Sequence, residues 1–178
     1  MYNPVRLHFG DNCVDRVGED LSVLGHRRVL ILTGQGSARR SGLLDRLEGQ
    51  LSAAGLEWEL WEGIRPNPVF EDADRAVLKA RQLQADALLA VGGGSVIDTA
   101  KAVAAGYFVD HSVWNFYAGG APKPERALPL YVVLTLAATG TEMNRATVLQ
   151  NNATGQKRGW GHELLFPKIS YLDALLTH

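Results

Sequence analysis

The sequence predicts an α/β fold in which a parallel sheet carries helices on both faces. Short, wholly apolar runs at residues 29–32, 87–91 and 128–134 are typical of strands buried on both faces. Stretches with apolar residues at helical spacing lie between them, and this alternation indicates βαβ units. Each run leads into a turn rich in glycine or hydroxyl residues. Because ligands bind at the carboxyl ends of parallel strands, these turns predict one shared site.

The remaining elements follow from periodicity and from turn residues. Further short strands are predicted at residues 5–9, 56–61, 145–149, 156–159 and 169–172, the third and fourth forming a hairpin around the turn at 151–155. Helices are predicted from apolar residues at helical spacing within residues 13–24, 43–51, 73–80 and 95–105. Residues 107–124 hold aromatics, glycines and prolines, and they predict a long loop.

The turn at Gly92-Gly93-Gly94 connects a predicted strand to a predicted helix. Ser95 and Asp98 have the spacing of a helix N-cap with an acid at its third position. Free N–H groups and the positive end of the helix dipole make such a turn a seat for phosphate. Position 97 is isoleucine, which excludes a G-x-G-x-x-G fingerprint, and no Gly-Lys-Ser/Thr triplet of a P-loop follows. The alternative is a tight turn without a ligand.

Composition narrows the class of protein. The chain has 178 residues, 46% hydrophobic and 21% charged, which suits one globular domain or one half of a larger enzyme. The net charge of −1 argues against a nucleic-acid or anionic membrane surface. A single cysteine, Cys13, excludes an internal disulfide and fits a reducing compartment. With no signal-peptide pattern and no membrane-spanning run, we expect a cytoplasmic protein.

Four motifs occur in a specific order along the chain. They are Pro66-Asn67-Pro68, Gly92-Gly93-Gly94-Ser95-x-x-Asp98-Thr99-x-Lys101, Thr135-Leu136-Ala137-Ala138-Thr139-Gly140-Thr141-Glu142 and Thr154-Gly155-x-Lys157. Together they resemble the iron-containing (group III, metal-dependent) alcohol dehydrogenases, in particular the butanol dehydrogenase and NADPH-dependent aldehyde reductase branch. The resemblance implies that residues 1–178 form a Rossmann-like dinucleotide-binding domain, the N-terminal domain of a dehydroquinate-synthase-like two-domain fold. The helical metal-binding domain would be absent from this chain.

The resemblance also implies which residues contact the cofactor. Gly93, Gly94, Ser95 and Asp98 match the segment that cradles the pyrophosphate and borders the nicotinamide, and Lys157 matches a lysine near the ribose. Further cofactor positions implied by the matching motifs are Asn67, Thr135, Thr139 and Asn144. Backbone amides and hydroxyls bind phosphate without a titrating group, and a lysine adds a point charge.

The cofactor preference can be inferred at Gly34. NAD-preferring members of the family tend to carry an acid at this position, which bonds the ribose 2′-hydroxyl and repels a 2′-phosphate. Here Gly34 is followed by Gln35, Gly36 and Ser37, with Arg39 and Arg40 close by. These residues offer room and donors, so we favour NADP over NAD. The alternative is that both arginines are solvated residues at a helix start.

The metal is expected to lie outside this chain. The family binds a divalent metal, iron or zinc, through an Asp-x-x-x-His helix and further histidines, whereas Asp173 and His178 are five residues apart. We therefore assign no metal ligand and no catalytic residue, and we expect His162 at the surface. Full-length relatives transfer hydride between NADP(H) and a small alcohol or aldehyde, and we expect them to be homo-oligomers. This chain alone is expected to bind dinucleotide weakly and not to turn over.

Two alternative functions remain open from the sequence. One is a lyase domain of the dehydroquinate-synthase type, which shares the fold and a glycine-rich turn. The other is a non-catalytic dinucleotide-binding module, for which 178 residues would be a natural length. The motifs around Asn67 and Thr135–Glu142 favour the dehydrogenase over the lyase.

Overall fold

A computed structural model describes residues 3–176 of the chain. Up to residue 106, helical segments alternate with strands as the sequence predicts. The strands are β1 (Arg6–Phe9), β2 (Arg28–Thr33), β3 (Glu57–Trp61), β4 (Ala87–Gly92), β5 (Leu130–Leu134), β6 (Ala146–Asn151), β7 (Gln156–Gly161) and β8 (Ile169–Leu172). The α-helices are α1 (Val17–Val23), α2 (Ser37–Arg40), α3 (Leu43–Ala53), α4 (Phe70–Leu83), α5 (Gly94–Gly106) and α6 (Trp114–Ala118).

Six strands form one sheet in the order β1-β8-β5-β4-β2-β3, and every pairing is parallel. The predicted α/β class is thereby confirmed. All residues of the central strands β4 and β5 are buried, which explains why their sequences are continuously apolar. Leu88 and Ala90 of β4 face α4 and α5, whereas Leu89 and Val91 face α1 and α3. The two faces of one strand therefore supply two separate cores.

The strands β6 and β7 form a separate antiparallel hairpin, as predicted. The hairpin is tied to the loop before α4, because the Gln150 N–H donates to the Pro68 carbonyl at 2.9 Å. Gln150 also forms a parallel bridge with Val69. The proline loop therefore lies beside the hairpin, and the hairpin strand β6 in turn packs on α5.

The predicted loop at 107–124 is wrong in its centre, where residues Trp114–Ala118 form the short helix α6. The Ser112 hydroxyl accepts a hydrogen bond from the Trp114 N–H at 3.2 Å, and Gly119 ends the helix in the left-handed conformation. Phe116 stacks on Trp160 of the hairpin with ring centroids 4.7 Å apart. This long-range aromatic contact stabilises a helix too short to be recognised from periodicity.

The predicted cap of α5 is also wrong. The helix begins at Gly94 and its N-cap is Gly93, so Ser95 is already helical and cannot adopt the extended conformation of an N-cap. Asp98 does not cap the helix either. Its carboxylate accepts the Thr141 hydroxyl at 2.7 Å and the Val148 N–H at 3.1 Å. The spacing matched a capping box, but tertiary partners use the carboxylate.

Among residues 3–176, no helix has both the length and the apolar character that crossing a membrane requires.

The packing of α1 on α3 predicts a sharp difference between two glycines. A Cβ at Gly18 would lie 2.6 Å from the backbone oxygen of Gln50, whereas a Cβ at Gly49 in α3 meets nothing within 4 Å. Gly18→Ala should therefore lower the free energy of unfolding by about 1–3 kcal/mol. Gly49→Ala, the matched control, should raise it by about 0.5–1 kcal/mol because alanine loses less conformational entropy in a helix. Urea denaturation measures both, and equal effects would contradict the packing.

Candidate functional site

A cleft of about 760 Å³ lies at the carboxyl edge of the sheet, where the turns after β2, β4 and β5 meet. Its lining residues from these turns are Gly34, Gln35, Ser37, Gly92, Gly93, Gly94, Ser95, Thr135 and Leu136. The three turns are adjacent because β4 pairs with β2 on one side and β5 on the other. The predicted convergence of the turns is confirmed by this arrangement.

The three consecutive glycines serve different purposes. A Cβ at Gly92 would lie 2.6 Å from Cγ2 of Val96, and a Cβ at Gly94 would lie 2.8 Å from Oγ1 of Thr139. A Cβ at Gly93 would meet only the side chain and carbonyl of Leu136, at 3.4 Å or more, and its φ of −98° suits any residue. Packing therefore requires glycine at positions 92 and 94. It does not require glycine at position 93, which lines the cleft.

The start of α5 gives this part of the cleft an electropositive character. Gly94 and Ser95, the first two residues of the helix, line the cleft. The first N–H groups of a helix have no partner within the helix, and its dipole is positive at this end. The first turn carries no acidic side chain that would neutralise it. An anionic group such as a phosphate fits this position.

The two arginines after the first turn have different surroundings. The Arg39 guanidinium faces carboxylates, with Asp45 at 3.0 Å, Glu48 at 3.1 Å and Glu62 at 3.7 Å. Arg40 lines the cleft, and its Nη1 donates to the Gln35 carbonyl at 3.4 Å. The guanidinium lies directly over Gly36, where a Cβ would come within 2.9 Å of Nη1. Only Arg40 of this pair is therefore placed to meet a ligand in the cleft.

Two other predicted residues form a pair beside the cleft. The Lys157 ammonium on β7 donates to Oδ1 of Asn67 at 3.0 Å. Asn67 adopts a left-handed conformation, with φ of 55°, between two prolines, the first of which lines the cleft. The motifs that contain Asn67 and Lys157 are 90 residues apart in sequence, and the fold brings them together.

Behind α5 lies a buried polar network that sequence reasoning missed. Lys101 is fully buried, and its Nζ donates to the Thr141 carbonyl at 2.6 Å, the Thr141 hydroxyl at 2.8 Å and Oδ1 of Asn144 at 3.1 Å. Asp98, which lies on the same helix as Lys101, accepts a hydrogen bond from the Thr141 hydroxyl. Burial lowers the pKa of Lys101 to about 8, and it raises the pKa of Asp98 against the opposing effects of Thr141 and Lys101. The sequence signal that could have revealed this network is a lysine between alanines in a helix predicted to be buried, since a buried lysine needs polar partners.

The predicted cofactor residues therefore fall into three places. Residues lining the cleft or packing directly on its lining are Gly34, Gly36, Ser37, Gly93, Gly94, Ser95, Thr135 and Thr139. Asp98 and Asn144 belong to the network behind α5, and Asn67 pairs with Lys157.

His162 and Asp173 each accept a hydrogen bond from a nearby backbone N–H. His162 accepts the Leu164 N–H at 3.2 Å through Nδ1, and it stacks loosely on Trp160 outside the cleft. Asp173 is fully buried at the end of β8, where Oδ1 accepts the Leu175 N–H at 3.1 Å. His178 lies outside the described residues. Across residues 3–176, no group of three or more His, Cys, Asp and Glu side chains could hold a metal ion, so this part of the chain does not fit the family's divalent metal.

A doubly covered parallel sheet with its cleft at the strand ends defines a Rossmann-like α/β domain. Residues 4–174 match the family described as iron-containing alcohol dehydrogenase, and the chain belongs to that family. The resemblance of the four motifs is thereby confirmed.

Individual relatives share this domain. The chain is 44% identical over 99% of its length to the probable NADH-dependent butanol dehydrogenase 1 of Bacillus subtilis, covering 45% of that protein. It is 34% identical over its whole length to the NADPH-dependent aldehyde reductase YqhD of Escherichia coli, covering 46% of it. The crystal structure of NADH-dependent butanol dehydrogenase A from Thermotoga maritima superposes with a TM-score of 0.94 and 40% identity, over 97% of this chain and 43% of that one. The chain thus spans about half the length of the relatives it matches.

A substitution at Gly93 is expected to weaken ligand binding without lowering the stability of the fold. Gly93→Ala adds a Cβ that the fold accommodates but that projects at the cleft surface. The melting temperature should stay close to the wild-type value, while the Kd for NADPH should rise at least about tenfold, a loss of about 1.4 kcal/mol. Isothermal titration calorimetry and thermal unfolding measure the two effects.

Gly92→Ala is the matched control for this prediction. Its Cβ would overlap Val96, so the variant should lose about 1–3 kcal/mol of stability before any effect on binding is considered. Wild-type affinity in Gly93→Ala would show that no phosphate approaches the turn.

Proposed function

We propose that this chain is the cofactor-binding portion of a metal-dependent alcohol dehydrogenase or aldehyde reductase. The reaction is hydride transfer between NADP(H) and a small alcohol or aldehyde. The observation that carries the proposal is the cleft in which Gly93 is left without a packing reason at the N-terminus of α5. The family match favours this function over a dehydroquinate-synthase-type lyase.

Each part of the dinucleotide has candidate partners in the chain. The amides of Gly93, Gly94 and Ser95 suit the pyrophosphate. The adenosine ribose is assigned to the turn after β2, with Gly34, Gly36 and Ser37, and Lys157 beside Asn67 is assigned to the other ribose. Thr135 lines the cleft and Thr139 packs on Gly94, whereas Asp98 and Asn144 lie in the network behind α5. The family resemblance assigns these four residues to further cofactor contacts. The bound cofactor supplies the hydride, while these residues bind and orient it.

The resemblance also carries the proposals on metal, assembly and location. The family's divalent metal, iron or zinc, would stabilise the developing alkoxide, but residues 3–176 provide no ligand set and no step is assigned to it. We propose a homo-oligomeric, cytoplasmic enzyme that acts on small alcohols and aldehydes, with no nucleic-acid or membrane partner. The net charge of −1 supports the absence of a nucleic-acid or membrane partner, and the single cysteine supports the cytoplasmic location.

Activity measurements test the proposal that this chain contains the cofactor site but not the metal site. The 178-residue chain should bind NADPH weakly but should not oxidise it when butyraldehyde and Fe²⁺ or Zn²⁺ are added, because residues 3–176 lack a metal ligand set. Absorbance at the reduced-nicotinamide band follows the reaction. Clear turnover would show that this chain does supply a metal site, and failure to bind either NADPH or NADH would contradict the proposed function itself.

The preference for NADPH over NADH can be tested by substituting the neighbouring residues Arg40 and Arg39. Gly34 leaves no carboxylate where a 2′-phosphate would lie, and Arg40 lines the cleft. NADPH should therefore bind more tightly than NADH. Arg40→Ala should raise the Kd for NADPH about tenfold through the loss of a charge-assisted contact, with little change for NADH.

Arg39→Ala is the control, because Arg39 faces Asp45, Glu48 and Glu62. It should leave the ratio of the two dissociation constants unchanged. Tighter binding of NADH in the wild-type protein would reject the NADP assignment. The relatives divide on this point, since the Bacillus subtilis protein is named as NADH-dependent and the Escherichia coli protein as NADPH-dependent.

A further inference from the structure

Lys101 is a fully buried cation that the cofactor contacts described above do not use. It reaches from α5 to two other segments, the 3-10 helix Thr141–Met143 and the strand β6. On the first segment its acceptors are the carbonyl and hydroxyl oxygens of Thr141. On the second it donates to the Ala146 carbonyl at 2.8 Å. One ammonium group thus holds three segments in a fixed relation.

The same ammonium group orients the side chain of Asn144. Oδ1 of Asn144 receives hydrogen bonds from Lys101 Nζ at 3.1 Å and from the Ala146 N–H at 2.8 Å. Both partners are donors only, so the amide cannot be turned over without placing its NH₂ group against them. Nδ2 consequently points away from Lys101 and donates to the Gly140 carbonyl at 3.1 Å. That NH₂ group has a second hydrogen with which to donate to a ligand.

The residues just before Thr141 connect the oriented Asn144 amide to the cleft. Thr139 packs against Gly94, the first residue of α5, and Gly140 is held by Asn144. We propose that Lys101 is a positioning residue for dinucleotide binding, which fixes the Asn144 amide and the segment 139–141 against the glycine turn. This inference rests on the proposed function, because it assigns a role at the same site.

A nonpolar side chain could not replace the ammonium group. Without Lys101, the carbonyls of Thr141 and Ala146 and the amide oxygen of Asn144 would each lose a donor. Leaving polar groups unpaired next to a buried helix is unfavourable, so the segment would shift to find other partners. The Asn144 amide would then be held only by the Ala146 N–H and the Gly140 carbonyl, so its position would be less tightly fixed.

A double-mutant cycle tests whether Lys101 acts through Asn144. The dissociation constants of NADPH and NADH are measured for the wild-type chain, Lys101→Met, Asn144→Ala and the double variant. Each single variant should weaken binding about tenfold, and the double variant should be no weaker than Asn144→Ala alone. Lys79→Met is the control, because Lys79 pairs with Glu59 at the surface and should leave both constants unchanged.

The outcomes separate this inference from the proposed function. If the wild-type chain binds neither dinucleotide, the proposed function fails and this inference fails with it. If the wild-type chain binds but Lys101→Met has wild-type affinity, only this inference is overturned. The same holds if the losses of the two single variants add, because Lys101 would then act independently of Asn144.

A pH profile gives a readout that needs no variant at position 101. The other charged or titratable groups that act on Lys101 or on the neighbouring Asp98 carboxylate are Glu142, the Tyr117 phenol and the Lys157 ammonium. With a pKa of about 8, Lys101 is charged at pH 7 and largely neutral at pH 9, where it has one N–H donor fewer. The Kd should rise several-fold across this range in the wild-type chain and stay flat in Asn144→Ala. A rise of the same size in Asn144→Ala would overturn the inference, because the pH effect would then not act through Asn144.

Discussion

Two missing side chains, at Gly92 and Gly94, set the geometry on which the rest of the molecule depends. Any Cβ at these positions would overlap Val96 or Thr139, so β4 can turn directly into α5 only because both residues are glycine. This turn places the start of α5 at the carboxyl edge of the sheet, next to the turns after β2 and β5. The cleft is therefore a consequence of backbone packing, and the anion-binding character of the helix start follows from its position.

The same packing explains how α5 can serve two environments. Its first turn lines the cleft, while its remaining residues are almost all buried among α4, β6 and the sheet. Small alanine side chains allow the close approach of these neighbours. The helix carries two charged groups, Asp98 and Lys101, and both are used to hold segments that follow β5. Polar groups buried with complete partners specify one arrangement of the chain, since any displacement leaves donors or acceptors unpaired.

Much of the candidate site follows from local sequence. Apolar runs that end in glycine or hydroxyl-rich turns predict parallel strands, and parallel strands bring their carboxyl ends to one edge. Gly34, Ser37, Gly93 and Thr135 were placed together by this reasoning, and the structure puts all four in the cleft lining. Their roles toward a cofactor remain predictions. The pairing of Asn67 with Lys157 followed from no local pattern, because the two residues meet only through the folding of the hairpin onto the proline loop.

The fold class, most of the strands, the long helices and the glycine turn after β4 could be read from the amino-acid sequence. These features depend on local conformational preferences and on periodic burial, which short stretches encode. The partners of charged and aromatic groups, in contrast, depend on how distant parts of the chain pack together. Asp98 has the spacing of a helix cap but binds Thr141 and Val148, and Lys101 looks like an ordinary helix residue but is fully buried. A polar side chain bonds to whichever group the fold brings within hydrogen-bond distance. For Asp98 these groups lie more than 40 residues away in the sequence, where no local pattern can indicate them.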